Sequence, residues 1–275
     1  MDYCHPIIWV WGMLLENIQK INEDSVYGSL DYVVSTFILS HIYEIKQYSL
    51  GDIARTLGLS KSSVASFFQN SKLPGGYPAF VIALDTEIGM RSVSLASHIQ
   101  WINDFINKIP RRINPVSDED IGIMAEAMVS SRRIIVIGPM RYRSSMLSLL
   151  NLLWYIGIPC RYIISGSVSK YDAELKSLDD SDLTVFLSPY DELTEIRFKY
   201  RSFPQISSTL TARTGRRLYI CSGNNNSADN EQMIRFTAPR NPYESSAAMD
   251  LLAARLFLAV TEIRKMDLNQ EIYIS

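Results

Sequence analysis

The chain is poor in the residues that most often carry chemistry. Its three histidines, His5, His41 and His98, all fall in the first hundred of 275 residues. The remainder offers no imidazole for proton transfer or metal ligation. Cysteine is as scarce: Cys4, Cys160 and Cys221 are far apart, odd in number and without metal-ligand spacing. That usage excludes a disulfide scaffold and fits a reducing compartment, so a cytoplasmic location is expected. No catalytic residue, metal or cofactor is expected. Charge of one sign is also lacking, with 27 Lys and Arg against 29 Asp and Glu. The whole-chain balance does not advertise a polyanionic partner.

Long apolar runs are missing too. The stretch Ile7-Ile8-Trp9-Val10-Trp11-Gly12-Met13-Leu14-Leu15 is about half the length that spans a bilayer. Asp2 is the only charge before it, and no small-residue cleavage site follows, so it does not read as an export signal. It reads as an apolar helix packed in the N-terminal domain, and no membrane partner is expected.

What is present is ample core material, 47% hydrophobic against 20% charged residues, enough for two domains of ordinary size. Residues 7 to about 110 read almost entirely as helix, with apolar residues at three- and four-residue spacing over 29–44, 50–58, 61–70 and 92–107. Ile109-Pro110-Arg111-Arg112-Ile113-Asn114-Pro115 is the best boundary in the chain, because two prolines interrupt the helical pattern. The expected division is a helical domain over 1–90, a linker helix and hinge over 91–115, and a second domain over 116–275.

The second domain has a different grammar. A helix signal starts at Ser117, with Asp118, Glu119 and Asp120 in its first turn. Arg133-Ile134-Ile135-Val136-Ile137-Gly138 is short, β-branched and apolar, as a buried parallel strand requires. A helix over 144–156, strands at 160–164, 182–188 and 217–222, and a long helix over 244–266 follow. This alternation predicts a three-layer α/β domain with a mainly parallel sheet. Apolar residues over 247–260 are too dense for a helix with one wet face, so that helix is expected in a core or a subunit interface. Tyr155, Phe186 and Phe198 read as core, Asn224-Asn225-Asn226 as a polar loop, and Glu244 as a first-turn carboxylate.

The segment from Leu50 to Phe67 has a spacing with physical meaning. Ile53, Ala54 and Leu57 share one face of a short helix, and Ala54 is small where a second helix must come close. Gly58 sits at the turn, Leu59 plugs the turn inward, and Ser60 caps the next helix, whose inner residues are Val64, Phe67 and Phe68. Two helices joined through a glycine turn form the unit that lays its second helix in the major groove. The polar residues Ser49, Arg55, Ser60, Lys61, Ser62, Ser63, Ser66 and Gln69 are the candidates for contacts with double-stranded DNA. Against this, residues 1–90 carry five Lys or Arg and nine Asp or Glu. Only within 50–80 does the balance reverse, with Arg55, Lys61 and Lys72 against Asp52. The favourable potential is local, so non-specific binding should be weak and salt-sensitive.

With these residues and with Gly76-Tyr77-Pro78-Ala79-Phe80, Ile134–Gly157 and Asp182–Ile196, nearly the whole chain resembles the RpiR/MurR family of bacterial regulators. The resemblance implies an N-terminal helix-turn-helix followed by a sugar-isomerase-like (SIS) domain that senses a phosphorylated sugar. It also implies a homodimer or homotetramer through the C-terminal domain. The loops depart from the family pattern. After the first strand the family has Gly-x-Gly-x-Ser, where this chain has Gly138-Pro139-Met140-Arg141-Tyr142. The second loop, Ser-x-Ser-Gly-x-Thr in the family, is here Ser188-Pro189-Tyr190-Asp191-Glu192-Leu193. Asp191 and Glu192 stand where a phosphate dianion needs donors.

Two expectations remain open. Either the site is retuned for another sugar-like small molecule through Gly138, Tyr142, Arg143, Ser144, Ser188, Tyr190 and Thr194, or the domain serves only to dimerise. The leading function is a DNA-binding regulator, not an enzyme. The alternatives are a sugar-phosphate isomerase with an accessory helical domain, or an interaction protein that does not bind DNA.

Overall fold

The computed structural model describes residues 14–70, 75–108, 115–188, 216–221, 231–237 and 242–264. Tyr190, Thr194, Phe198, Cys4, the stretch Ile7–Met13, most of the Pro110–Pro115 hinge and Asn224-Asn225-Asn226 lie outside them. Two compact units result, the first comprising mainly residues up to His98 and the second mainly those from Ile99 onward.

In the first unit, α1 (Leu14–Asp24) buries Leu14, Leu15 and Ile18 and packs against α2 (Leu30–Ser40). The Ser29 side chain caps α2 by accepting from the Tyr32 N–H, satisfying a donor the helix cannot satisfy itself. Buried Asn22 donates from Nδ2 to Ser35 Oγ at 3.0 Å and Thr36 Oγ1 at 2.7 Å, so its amide is not stranded in the core. Two short helices follow, α3 (Leu50–Leu57) and α4 (Lys61–Asn70).

The next helix, α5 (Gly76–Lys108), runs unbroken for 33 residues and starts well before the expected 92. Pro78 does not stop it, because it stands in the first turn, where the missing N–H has no helical partner to lose. Phe80, Ala83 and Leu84 are buried along it. Glu87, also buried, accepts the Leu15 N–H at 3.2 Å and so caps α1 from another helix. Tyr77 Oη donates to the Ile45 and Tyr48 carbonyls at 2.8 and 2.5 Å. Burial, helped by the nearby Asp52 carboxylate, pushes the Tyr77 phenol up to about 12.

The second unit opens with α6 (Asp118–Val129), capped by Ser117 as its acidic first turn predicts. Then come β1 (Arg133–Gly138), α7 (Arg143–Tyr155), β2 (Cys160–Ile164), the short α8 (Asp172–Lys176) and β3 (Asp182–Ser188). They are followed by β4 (Arg216–Cys221), β5 (Glu231–Arg235) and α9 (Pro242–Ile263). The five strands among the described residues are all parallel, in the order β2-β1-β3-β4-β5. The fifth strand, Glu-Gln-Met-Ile-Arg, was not expected from sequence; only Met233 and Ile234 give it apolar character.

Strand alternation sorts the sheet into two faces. Ile134, Val136, Leu183, Val185, Leu187, Leu218, Ile220 and Ile234 lie on one face and are buried. Ile135, Ile137 and Ile163 lie on the other, in a cluster with Val168, Leu175 and Leu178. Burial on both faces is why β1 reads as a continuous apolar run. Helix α9 buries Ala248, Met249, Leu251, Leu252, Leu256, Phe257 and Val260 and packs against α6. The Arg255 guanidinium reaches the Val116 carbonyl and the Asp118 carboxylate, and the Thr237 N–H donates to the Pro115 carbonyl at 2.7 Å. The start of the second unit is thus fastened to its last strand and helix.

Candidate functional site

Two places hold the residues singled out from sequence. The first is the α3–α4 pair. Ser49 and Asp52 close a reciprocal capping box at the start of α3: Asp52 N–H donates to Ser49 Oγ at 3.2 Å, and Ser49 N–H donates to Asp52 Oδ2 at 3.0 Å. The Ser49 hydroxyl, which donates to Asp52 Oδ2 at 2.6 Å, and then the Ser49 N–H, with Arg55 beside them, hold the Asp52 carboxyl below its ordinary value. At the far end Gly58 is left-handed, with φ 65°, and its N–H returns to the Ala54 and Arg55 carbonyls. A side chain there would be strained, which is why glycine ends the helix.

Ser60 Oγ accepts the Ser63 N–H at 3.0 Å and lies 2.8 and 2.7 Å from the Ser62 and Ser63 hydroxyls. It caps α4 as its position predicts. Val64, Phe67 and Phe68 are fully buried, Phe68 with its ring against Tyr77 and Phe80. Leu59 is half-buried. With that face turned in, Lys61, Ser62 and Gln69 are exposed, and Ser63 and Ser66 are half-buried. Arg55 is exposed and paired with Asp52 at 3.1 Å. The eight candidates therefore divide by role. Ser49 and Ser60 hold helix ends, Arg55 leans on its own helix, and Lys61, Ser62 and Gln69 present polar groups outward.

The second place is the carboxyl end of β1. The strand order reverses direction between β1 and β3, and open α/β sheets bind ligands at such a switch point, beyond the strand ends. Gly138 ends β1 and Ser188 ends β3. Between Gly138 and α7 the chain makes one tight turn of 3-10 helix, Met140–Tyr142. The Tyr142 N–H donates to the Pro139 carbonyl at 3.1 Å, and the Arg143 N–H donates to the Met140 carbonyl. Pro139 has no N–H. These three backbone positions have no donor left for an anion.

The room beside Gly138 is filled from within. A Cβ there would stand 2.6 Å from Tyr162 Oη and 2.9 Å from Leu187 Cβ. Tyr162 Oη itself donates to the Pro139 carbonyl at 2.6 Å. Its phenol is pushed up, chiefly by burial and then by neighbouring Tyr142, against the pull of Arg141 and Arg143. The glycine is thus required by the chain's own packing. Tyr162 was not among the candidates, since no local pattern tells which side chain of one strand will cover a glycine of the next.

The candidate ligand residues separate in the same way. Tyr142 is completely buried, with the Arg141 guanidinium 4.8 Å from its ring centroid. Arg143 is half-buried at the start of α7, and Ser144 is exposed. Ser188 pairs with Cys221 at the ends of β3 and β4. Among the described residues, no group of three or more His, Cys, Asp or Glu could hold a metal ion. No described helix is long and apolar enough to cross a membrane.

The sequence matches no protein-family model and no curated protein. Solved structures do show similarity. One is the Vibrio vulnificus NanR protein complexed with ManNAc-6P, at 14% identity over 92% of this chain and 93% of that one, with a TM-score of 0.40. Another is the sugar isomerase domain of the RpiR transcription factor from Sphaerobacter thermophilus, at 16% identity, 66% and 98% coverage and a TM-score of 0.37. A third is the C-terminal domain of glucosamine-fructose-6-phosphate aminotransferase from Francisella tularensis, at 14% identity, 78% and 52% coverage and a TM-score of 0.43. At these scores the likeness carries no conclusion about this chain, whose α/β architecture rests on its own strand order and register.

Proposed function

We propose that the chain is a DNA-binding transcription regulator that works as a homodimer or homotetramer, with a sugar-isomerase-like α/β unit behind a helix-turn-helix. The observation that carries this reading is the division of α4 into two faces. Val64, Phe67 and Phe68 anchor it, while Lys61, Ser62 and Gln69 stand outward at the end of a glycine turn. That is the geometry in which a second helix enters the major groove. Lys61 at the helix start supplies the phosphate contact, and the hydroxyl and amide groups supply the base contacts.

The α/β unit has less support as an enzyme. Residues 116–275 contain no histidine, and in the turn after β1 the Tyr142 and Arg143 N–H groups bond to the turn's own carbonyls. Aldose–ketose chemistry needs an acid/base pair beside a held phosphate. A dimerising scaffold fits these features better.

Selection from random duplexes with the full chain tests the proposal. A preferred sequence should emerge, and Lys61→Ala should weaken binding to all duplexes and reduce the salt slope by about one unit. Gln69→Ala should instead change sequence preference. If no duplex is preferred and Lys61→Ala has no effect at low salt, the regulator reading fails. The acidic balance of residues 1–90 then favours a helical module that binds protein.

A further inference from the structure

We infer that the turn Met140–Tyr142 is a two-state latch over the carboxyl end of β1, held shut by the ring of Tyr142 and loosened by its hydroxyl. Tyr142 is among the largest fully buried side chains, yet its Oη has no hydrogen-bond partner among the described residues. Buried tyrosines normally find a partner for the hydroxyl, because leaving it unpaired costs much of what burying the ring gains. The closed turn therefore carries a penalty that an open turn, with the hydroxyl in water, does not.

The turn is built to move as a unit. It is a single turn of 3-10 helix between Pro139 and the first residue of α7, and Met140 and Arg141 within it are exposed. Tyr162, on the neighbouring strand β2, is tied to the Pro139 carbonyl and not to Tyr142. Opening would leave that anchor in place. Gly138 would stay covered by Tyr162, and the Tyr142 side chain would be exposed at the switch point between β1 and β3, where a ligand of an open α/β sheet is received. The inference does not depend on DNA binding.

Native-state amide exchange on the full chain, with three proteins, tests it. The Tyr142 and Arg143 amides report on the turn, and those of Val136 and Ile137 report on the strand beneath. In the wild type the turn amides should exchange through a local opening, well ahead of the strand amides. Tyr142→Phe removes the unpaired hydroxyl and keeps the ring, so it should slow the turn amides by about five- to a hundredfold relative to the strand. Thr184→Val is the control: Thr184 Oγ1 is likewise buried without a partner, but mid-strand in β3. It should not change the ratio between turn and strand. Exchange of turn and strand in step, or a ratio that Tyr142→Phe leaves unchanged or raises, overturns the latch. A ratio moved equally by Thr184→Val assigns the effect to general stability and overturns it as well.

Discussion

Arg133 and Asp182 stand opposite one another in register on β1 and β3 and close a 2.7 Å ion pair at the amino end of the sheet. Asp182 is wholly buried and is also met by Arg132 at 2.9 Å and by the Asp179 N–H at 3.1 Å. The charged groups therefore gather at the end of the sheet opposite the switch point between β1 and β3. The ion-pair network fixes where β1 and β3 start.

Asp182→Ala should accordingly cost stability and leave any ligand response at the opposite end intact. Removing one partner of a buried pair strands the other, typically at about 3–5 kcal/mol. Arg133 retains weak contacts to Ser177 at 3.3 and 3.4 Å, which places the expected loss at the lower end of that range. Denaturant unfolding measures it. Asp179→Ala removes an exposed partner of Arg132 and the exposed bonds that Asp179 accepts from the Ser181 N–H and hydroxyl, and should be milder. Equal losses for the two would mean that burial of Asp182 is not what matters.

The cap of α3 makes a prediction about acid. Asp52 is held below its ordinary carboxyl value of 3.8, first by the Ser49 hydrogen bonds and then by Arg55. A depressed folded-state value means the cap's contribution is complete above that ordinary value and is lost as pH falls through the lower one. Wild type and Asp52→Asn should therefore differ in thermal midpoint at about pH 6 and converge as the acid is protonated. A gap that persists unchanged in acid would show that the charge on Asp52 plays no part in the cap.

Much of the fold was legible because it is written in local pattern. The strands at 133–138, 160–164 and 182–188 lie where β-branched apolar runs placed them, and the caps Ser60 and Ser117 lie where their spacing placed them, whereas Ser49, expected as a DNA contact, caps α3. The α5 start was missed because Pro78 and the glycines at 75 and 76 look like a break, and only the tertiary burial of Phe80 and Leu84 shows otherwise. The turn at the carboxyl end of β1 was the least legible. One tight turn has no periodicity to say that Tyr142 points inward while Met140 and Arg141 face water. Nor does any local signal pair Tyr162 with Gly138, 24 residues away along the chain.

That pairing can be measured. Gly138→Ala sets a Cβ 2.6 Å from Tyr162 Oη and 2.9 Å from Leu187 Cβ. Overpacking of this kind costs about 1–3 kcal/mol. In a Tyr162→Phe background the nearer contact is gone and the Leu187 contact remains, so the same substitution should cost less but not nothing. The double-mutant cycle on unfolding free energy reads the difference. Additive losses would mean that Tyr162 does not fill the space beside the glycine.

The same crowding bears on phosphosugars. A phosphate at the end of β1 needs bare backbone and free N–H groups. Here Pro139 has no N–H, the Tyr142 and Arg143 N–H groups close the turn on itself, and Tyr162 covers the glycine. Hexose phosphates, including those of glucosamine, fructose and N-acetylmuramic acid, should therefore leave the melting temperature unchanged. A ligand that binds only the native state raises its stability by RT ln(1 + [L]/Kd), about 2.7 kcal/mol at a hundredfold excess over Kd. A screen at millimolar ligand would therefore reveal even a micromolar binder. A clear shift with any of these sugars, lost in Ser188→Ala, would mean that a phosphate cradle forms despite the filled first turn. Its donors would then be sought at Arg141 and Arg143, the two cations that flank the buried Tyr142 in sequence.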